Sequence, residues 1–164
     1  EAYAEPGILD LADGGRWMVA ELGAELGPAG LAAEALPMLA PHPCDLDLAR
    51  EFVLEAADPL RRRELDAVPG AVDALAAGVA DAVAQGTDGL RRDLELQVEA
   101  PDVDWSAVAC PVELVYGERD TTTPVDFGRW WARRLRWAEL SVVPGAGHLV
   151  ALTEWRDLLR RAGA

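Results

Sequence analysis

The sequence has no lysine, two cysteines, two serines and two histidines among its 164 residues. It also lacks any uninterrupted run of about 18 apolar residues, which excludes a membrane-spanning helix. Cys44 and Cys110 are too few for a disulfide framework or a cysteine-rich zinc site, and they fit a reducing, cytoplasmic compartment. Positive charge is scarce: 15 basic residues, all arginine, face 29 acidic ones, for a net charge of −14. Such a chain repels phosphate backbones and anionic lipid, so neither nucleic acid nor a membrane surface is expected as a partner. The chain opens Glu1-Ala2-Tyr3, without methionine, basic segment or apolar signal core. No secretory signal is therefore expected, and the start reads as trimmed or as the inside of a longer protein. What remains is 51% hydrophobic with a mean hydropathy of +0.03, enough for one globular core.

Charge and composition divide the chain into regions 1–100 and 101–164. The first holds 20 acidic and 7 basic residues, the second 9 and 8. Alanine makes up 22 of the first 100 residues, and β-branched residues are sparse there, which favours helix over strand. Met18, Leu22 and Leu26 repeat every four positions from Trp17, and Gly27-Pro28 ends that helix. A second helix is expected from about Asp47 to Ala57, on Leu48, Phe52 and Ala56. Asp58-Pro59 reads as an N-cap with proline at the first helical position, opening an Arg-rich turn to Leu65. Val72, Leu75, Val79 and Val83 mark a third helix closed by Gly86, and Thr87 to about Val98 a fourth. Prolines 37, 41, 43 and 69 break the region into short pieces.

Region 101–164 has a different grammar. Pro111 to Gly117 is a short, β-rich apolar run, the pattern of a strand buried in a parallel sheet. Thr123-Pro124 reads as the N-cap and first residue of a helix facing inward through Phe127, Trp131 and Leu135, with Arg129, Arg133 and Arg136 outward. Leu140 to Val143 is a second strand, and Trp155, Leu158 and Leu159 mark a last helix. Strand–helix–strand–helix is the order of a parallel sheet covered by helices, but two strands do not complete such a sheet. Chemistry in open α/β sheets gathers in the loops after the strands' carboxyl ends. Here those loops are Gly117-Glu118-Arg119-Asp120 and Pro144-Gly145-Ala146-Gly147-His148. A carboxylate beside an imidazole holds one tautomer and stabilises the imidazolium formed when the ring takes a proton.

These stretches, with Pro124, resemble the C-terminal part of an α/β-hydrolase over about Trp105 to Leu159. The resemblance implies an α/β fold class: a partial α/β-hydrolase fold, with a helical cap or lid (1–100) followed by a C-terminal βαβα piece of the core (101–164). Thr87-Asp88-Gly89-Leu90-Arg91-Arg92-Asp93 is similar to the end of the cap in peptidase-like and haloperoxidase-like members. Asp120 would be the triad acid, with Asp126 or Glu118 as fallback, and His148 the general base. The family's nucleophile sits in a Gly-x-Ser-x-Gly elbow. Ser106 and Ser141 have no such flanking glycines, Thr121 to Thr123 form no elbow, and the oxyanion-hole loops are absent. The expectation is thus a fragment of a capped serine-type hydrolase of ester, amide or similar acyl bonds. It would be inactive alone, its nucleophile lying before Glu1.

No cofactor or metal is implied, and the partner of the intact enzyme would be a small-molecule substrate. Acyl transfer, cofactor-free perhydrolysis, or epoxide or halide chemistry with an Asp nucleophile would use the same pair. The alternative of another class is a non-catalytic interaction module, dimerising through an open strand edge or binding through its acidic helices. A stand-alone hydrolase using Ser106 or a threonine is a third reading. Asp120 also has an ordinary job available, capping the turn before Thr123-Pro124. His42, in Pro41-His42-Pro43-Cys44-Asp45, offers at most three unspaced metal ligands. Nothing basic is placed to make Cys44 a thiolate. Cys110, ahead of a strand, is expected in the core, and Trp17 with the Met and Leu positions near it could line a pocket beneath a lid or form cap core, so no binding role is assigned to them.

Overall fold

The computed structural model describes residues 23–96 and 103–163. Trp17, Met18 and Leu22 lie outside the described residues. Among the described residues seven α-helices and two strands follow in the order α1 (Gly23–Leu39), α2 (Leu46–Glu55), α3 (Pro59–Ala67), α4 (Ala71–Val83), α5 (Asp88–Leu96), β1 (Val112–Gly117), α6 (Val125–Arg134), β2 (Ala138–Val143) and α7 (Val150–Ala162). They form two compact units, and the division is not linear: residues 57–71, which carry α3, group with 103–163, whereas 23–56 group with 72–96. The boundary near residue 100 therefore separates the units only in part.

The first unit is helical. Gly27 takes a positive φ of 71° and interrupts α1, as Gly27-Pro28 predicts, but the chain resumes as helix to Leu39 instead of ending there. Proline is tolerated at a first helical turn, where its missing N–H has no partner to lose. Beyond the kink, Ala32 and Ala35 pack with Leu94 of α5 into a small core, with Leu36 against it. Alanine supplies little apolar area but lets helix backbones approach closely. Asp45 caps α2 by accepting the Leu48 N–H at 2.9 Å. Arg50 of α2 pairs with Asp73 of α4 at 2.8 Å. Gly86 carries a positive φ of 94° just past α4.

The second unit places the chemistry. β1 and β2 run parallel, in register from Val112 opposite Ala138 to Gly117 opposite Val143. Among the described residues each strand has only this one neighbour. Both strands are consequently half-buried, not enclosed as expected for a sheet interior. α6 connects them and lies close to both: a Cβ on Gly128 would meet Leu140 and Tyr116 at 2.6 and 2.7 Å. Phe127, Trp130 and Leu135 are buried, while Trp131 is half-buried and packs edge-on against Trp105 and Trp130. Trp130 is thus the more buried of the two tryptophans and Trp131 is half-buried. Pro124 is the N-cap of α6, one residue later than expected, with no side-chain cap bond. Cys110 is exposed and not in the core, lying just ahead of β1, a strand with one neighbour among the described residues. Asp58 caps α3, accepting the Leu60 and Arg61 N–H groups at 2.7 and 2.9 Å, with Pro59 first in the helix.

Candidate active site

The parallel register ends both strands at one edge, Gly117 level with Val143, so the two following loops start side by side. They are tied by backbone bonds: the Glu118 N–H donates to Val143 O at 3.0 Å and the Arg119 N–H to Ala146 O at 2.8 Å. A Cβ on Gly117 would lie 2.2 Å from Gly147 O and 2.6 Å from Ala146 O, so only glycine allows the loops this close. Gly145 takes a positive φ of 73° and turns the second loop back toward the first.

Asp120 and His148 meet at this edge. His148 Nδ1 lies 3.0 Å from Asp120 Oδ2. The other carboxylate oxygen, Oδ1, accepts the Thr122 and Thr123 N–H groups at 2.8 and 3.0 Å. The turn-capping job and the histidine-orienting job fall to different oxygens of one side chain. The Thr123 hydroxyl donates to Oδ2 at 2.7 Å and stands 3.3 Å from His148 Nδ1, making a three-membered cluster. The Asp120 side chain is 4% exposed and that of His148 33%.

Burial alone would raise the Asp120 carboxyl, but hydrogen bonds from His148, from the Thr123 N–H and hydroxyl, and from the Thr122 N–H outweigh it and lower it from 3.8 to about 2. Asp120 is therefore ionised at neutral pH and accepts only. The proton of a neutral His148 must then sit on Nδ1, with the lone pair on Nε2. The fallback carboxylates are otherwise engaged: Asp126 pairs with Arg129 at 2.6 Å and Glu118 accepts the Gly145 N–H at 2.8 Å.

Neither serine approaches this arrangement. Ser106 lies exposed before β1, its hydroxyl donating to Asp104 at 2.6 Å, and Ser141 is held inside β2 opposite Val115. Thr123 sits on the Asp120 side of the imidazole, the wrong side for a nucleophile that must give its proton to Nε2. His42 and Cys44 belong to the other unit, and among the described residues no group of three or more His, Cys, Asp or Glu side chains could hold a metal ion. No helix of the described residues is long and apolar enough to cross a membrane. A cleft of about 350 Å³ between α3 and the Pro144–Ala146 turn is lined by Leu60, Arg63, Glu64 and Arg119 among others, but not by Asp120 or His148.

Two residues of the site escape a reading of the sequence. Thr123 is expected as a helix cap, yet its hydroxyl serves Asp120. Glu64 of α3, 7% exposed, accepts the Gly147 N–H through Oε1 and the Leu149 N–H through Oε2, the latter at 3.1 Å. No local signal marks Glu64, because its partners lie 83 and 85 positions away.

No protein-family model matches the sequence. Over 120 residues the chain is 37% identical to a pimeloyl-[acyl-carrier protein] methyl ester esterase of Chromobacterium violaceum, covering 70% of this chain and 45% of that protein. Among solved structures it is similar to a thermophilic esterase from Thermogutta terrifontis with malate bound, at 20% identity and a TM-score of 0.42, covering 96% of this chain and 51% of that one. It is also similar to the 2-hydroxy-6-oxo-6-phenylhexa-2,4-dienoate hydrolase (BphD) of Rhodococcus sp. strain RHA1, at 19% identity and a TM-score of 0.42, covering 80% and 46%. The chain spans about half the length of the proteins it matches. The sequence similarity relates the chain to an esterase at partial coverage.

Proposed function

We propose that this chain supplies the acid and the base of a serine-type α/β-hydrolase, with the attacking serine and the oxyanion hole contributed by residues outside 1–164. The observation that carries the reading is the 3.0 Å contact between His148 Nδ1 and an ionised, buried Asp120, at the shared edge of two parallel strands. In the first half-reaction the serine Oγ attacks the substrate's acyl carbon while His148 Nε2 takes the hydroxyl proton. Asp120 keeps the ring oriented and offsets the imidazolium charge. The tetrahedral adduct collapses, the proton passes from Nε2 to the leaving oxygen or nitrogen, and an acyl-enzyme remains. Water then repeats the sequence and releases the acid. The partner is a small-molecule substrate, and the methyl ester chemistry of the Chromobacterium violaceum relative favours a carboxylic ester among the acyl bonds. The helical unit is read as the cap of such an enzyme, and two free cysteines fit a cytoplasmic setting.

The test is to express the complete coding sequence, measure the intact mass, and treat the product with a fluorophosphonate probe and a p-nitrophenyl ester. A longer polypeptide that labels and hydrolyses the ester, and loses hydrolysis in His148→Ala by at least about 10³-fold, supports the reading. If the complete product neither labels nor turns over, or if His148→Ala is as active as the parent, the hydrolase reading is wrong.

A further inference from the structure

Of the side chains around the site, Glu64 is a buried acid for which the reaction above has no use. It is carried by α3, the helix that groups with the strands although the flanking helices of the chain do not. Both of its oxygens accept backbone N–H groups, from Gly147 and Leu149, the two residues on either side of His148. A side chain accepting with both oxygens acts as a carboxylate, and bonds from N–H groups to an ionised acceptor are about twice as strong as neutral ones. The His148 backbone is thus clamped on both sides from one point. The close fit of the loop supports the same conclusion: a Cβ on Gly147 would lie 2.8 Å from Leu60 Cδ2 and 3.1 Å from Glu64 Oε2.

We infer that Glu64 is a positioning residue for His148. By fixing the Gly147 and Leu149 N–H groups it sets the direction in which the imidazole leaves the loop, and so the 3.0 Å reach of Nδ1 to Asp120. Asp120 orients the ring from the side-chain end and Glu64 from the backbone end. The loop contains two glycines between Pro144 and His148, at 145 and 147, and has little intrinsic stiffness. Displacement of the ring by about 1 Å is enough to cost on the order of 10²-fold in rate, so such a clamp has a functional consequence. That significance rests on the reading of His148 as the general base; the positioning itself does not.

The experiment compares the 164-residue chain with its Glu64→Gln and Glu64→Ala variants by ¹⁵N NMR, the two histidines being told apart with His42→Gln. In Glu64→Gln, nearly isosteric, the amide nitrogen replaces one acceptor. The Gly147 or Leu149 N–H should then exchange with solvent roughly tenfold to hundredfold faster. The His148 Hδ1 signal, which reports the bond to Asp120, should weaken or vanish, while the β1–β2 ladder amides keep their protection. Unchanged Hδ1 and loop-amide signals overturn the proposal. So does a uniform loss of protection that includes the ladder, because Glu64 would then stabilise the unit without directing the ring. If Glu64→Ala fails to fold, Glu64→Gln alone decides between these outcomes. The result is separable from the hydrolase reading: a complete protein that never labels with fluorophosphonate, yet shows these NMR changes, sinks the hydrolase and leaves the positioning of His148 intact.

Discussion

Replacing Asp120 by asparagine isolates the charge at the centre of the site. Oδ1 can still accept from Thr122 and Thr123, but Nδ2 now faces the Thr123 hydroxyl and His148 Nδ1, both of which donate to Oδ2 in the parent. Lowering a carboxyl from 3.8 to about 2 corresponds to about 2 kcal/mol of folding stability at neutral pH. Because the folded-state value is depressed, this stability is fully present above the unfolded value near 4 and is lost as pH falls toward 2. Asparagine does not titrate, so Asp120→Asn should be less stable by about 2–3 kcal/mol at pH 7, and the gap should close by about pH 2. For a unit of this size the loss corresponds to a Tm lower by roughly 10 °C at neutral pH. Tryptophan fluorescence is the suitable probe, since five of the six tryptophans lie in residues 103–164. Urea melts of parent and variant at steps from pH 7 to pH 2 give the curve. A gap below about 0.5 kcal/mol at pH 7, or one that stays constant across the acid range, would refute the assignment of an ionised, hydrogen-bonded Asp120.

Three further outcomes follow from the geometry. Gly117→Ala should cost at least about 1–3 kcal/mol in urea melts and disturb the His148 ring signals, because the new Cβ meets backbone oxygens at 2.2 and 2.6 Å and neither loop can yield without moving. Arg161→Ala should change stability by less than about 1 kcal/mol, since its 2.7 Å pair with Glu113 is between side chains 46% and 33% exposed; a larger loss in thermal melts would mean that α7 depends on this pair. Cys110 should react with a thiol reagent in the folded protein faster than the half-buried Cys44, as peptide mapping of the labelled chain will register, and equal rates would contradict the assigned exposures.

Features settled within three or four residues are legible in the sequence. Asp58 caps a helix because its side chain reaches N–H groups two and three positions on, and Gly86 ends α4 where a positive φ is needed. The strands, the helix between them and the pairing of Asp120 with His148 follow from local pattern together with one topological rule: parallel strands joined by a helix end at the same edge. Misreadings gather where a distant surface intervenes. Trp130 is buried and Trp131 only half-buried, a difference that the spacing of Phe127, Trp131 and Leu135 does not record.

The sequence by itself determined the class of this protein: an acidic, alanine-rich helical region, a βαβα piece, and an acid and a histidine in strand-end loops. These are matters of composition, periodicity and short-range hydrogen bonding. Tertiary structure alone decided that α3 leaves its sequence neighbours to join the strands, that Glu64 holds the backbone on both sides of His148, and that the two oxygens of Asp120 divide turn and imidazole between them. The physical reason is that a buried carboxylate binds whatever N–H groups the fold brings within about 3 Å. Across 83 or 85 positions, that proximity is a property of the packed chain and not of any segment in it.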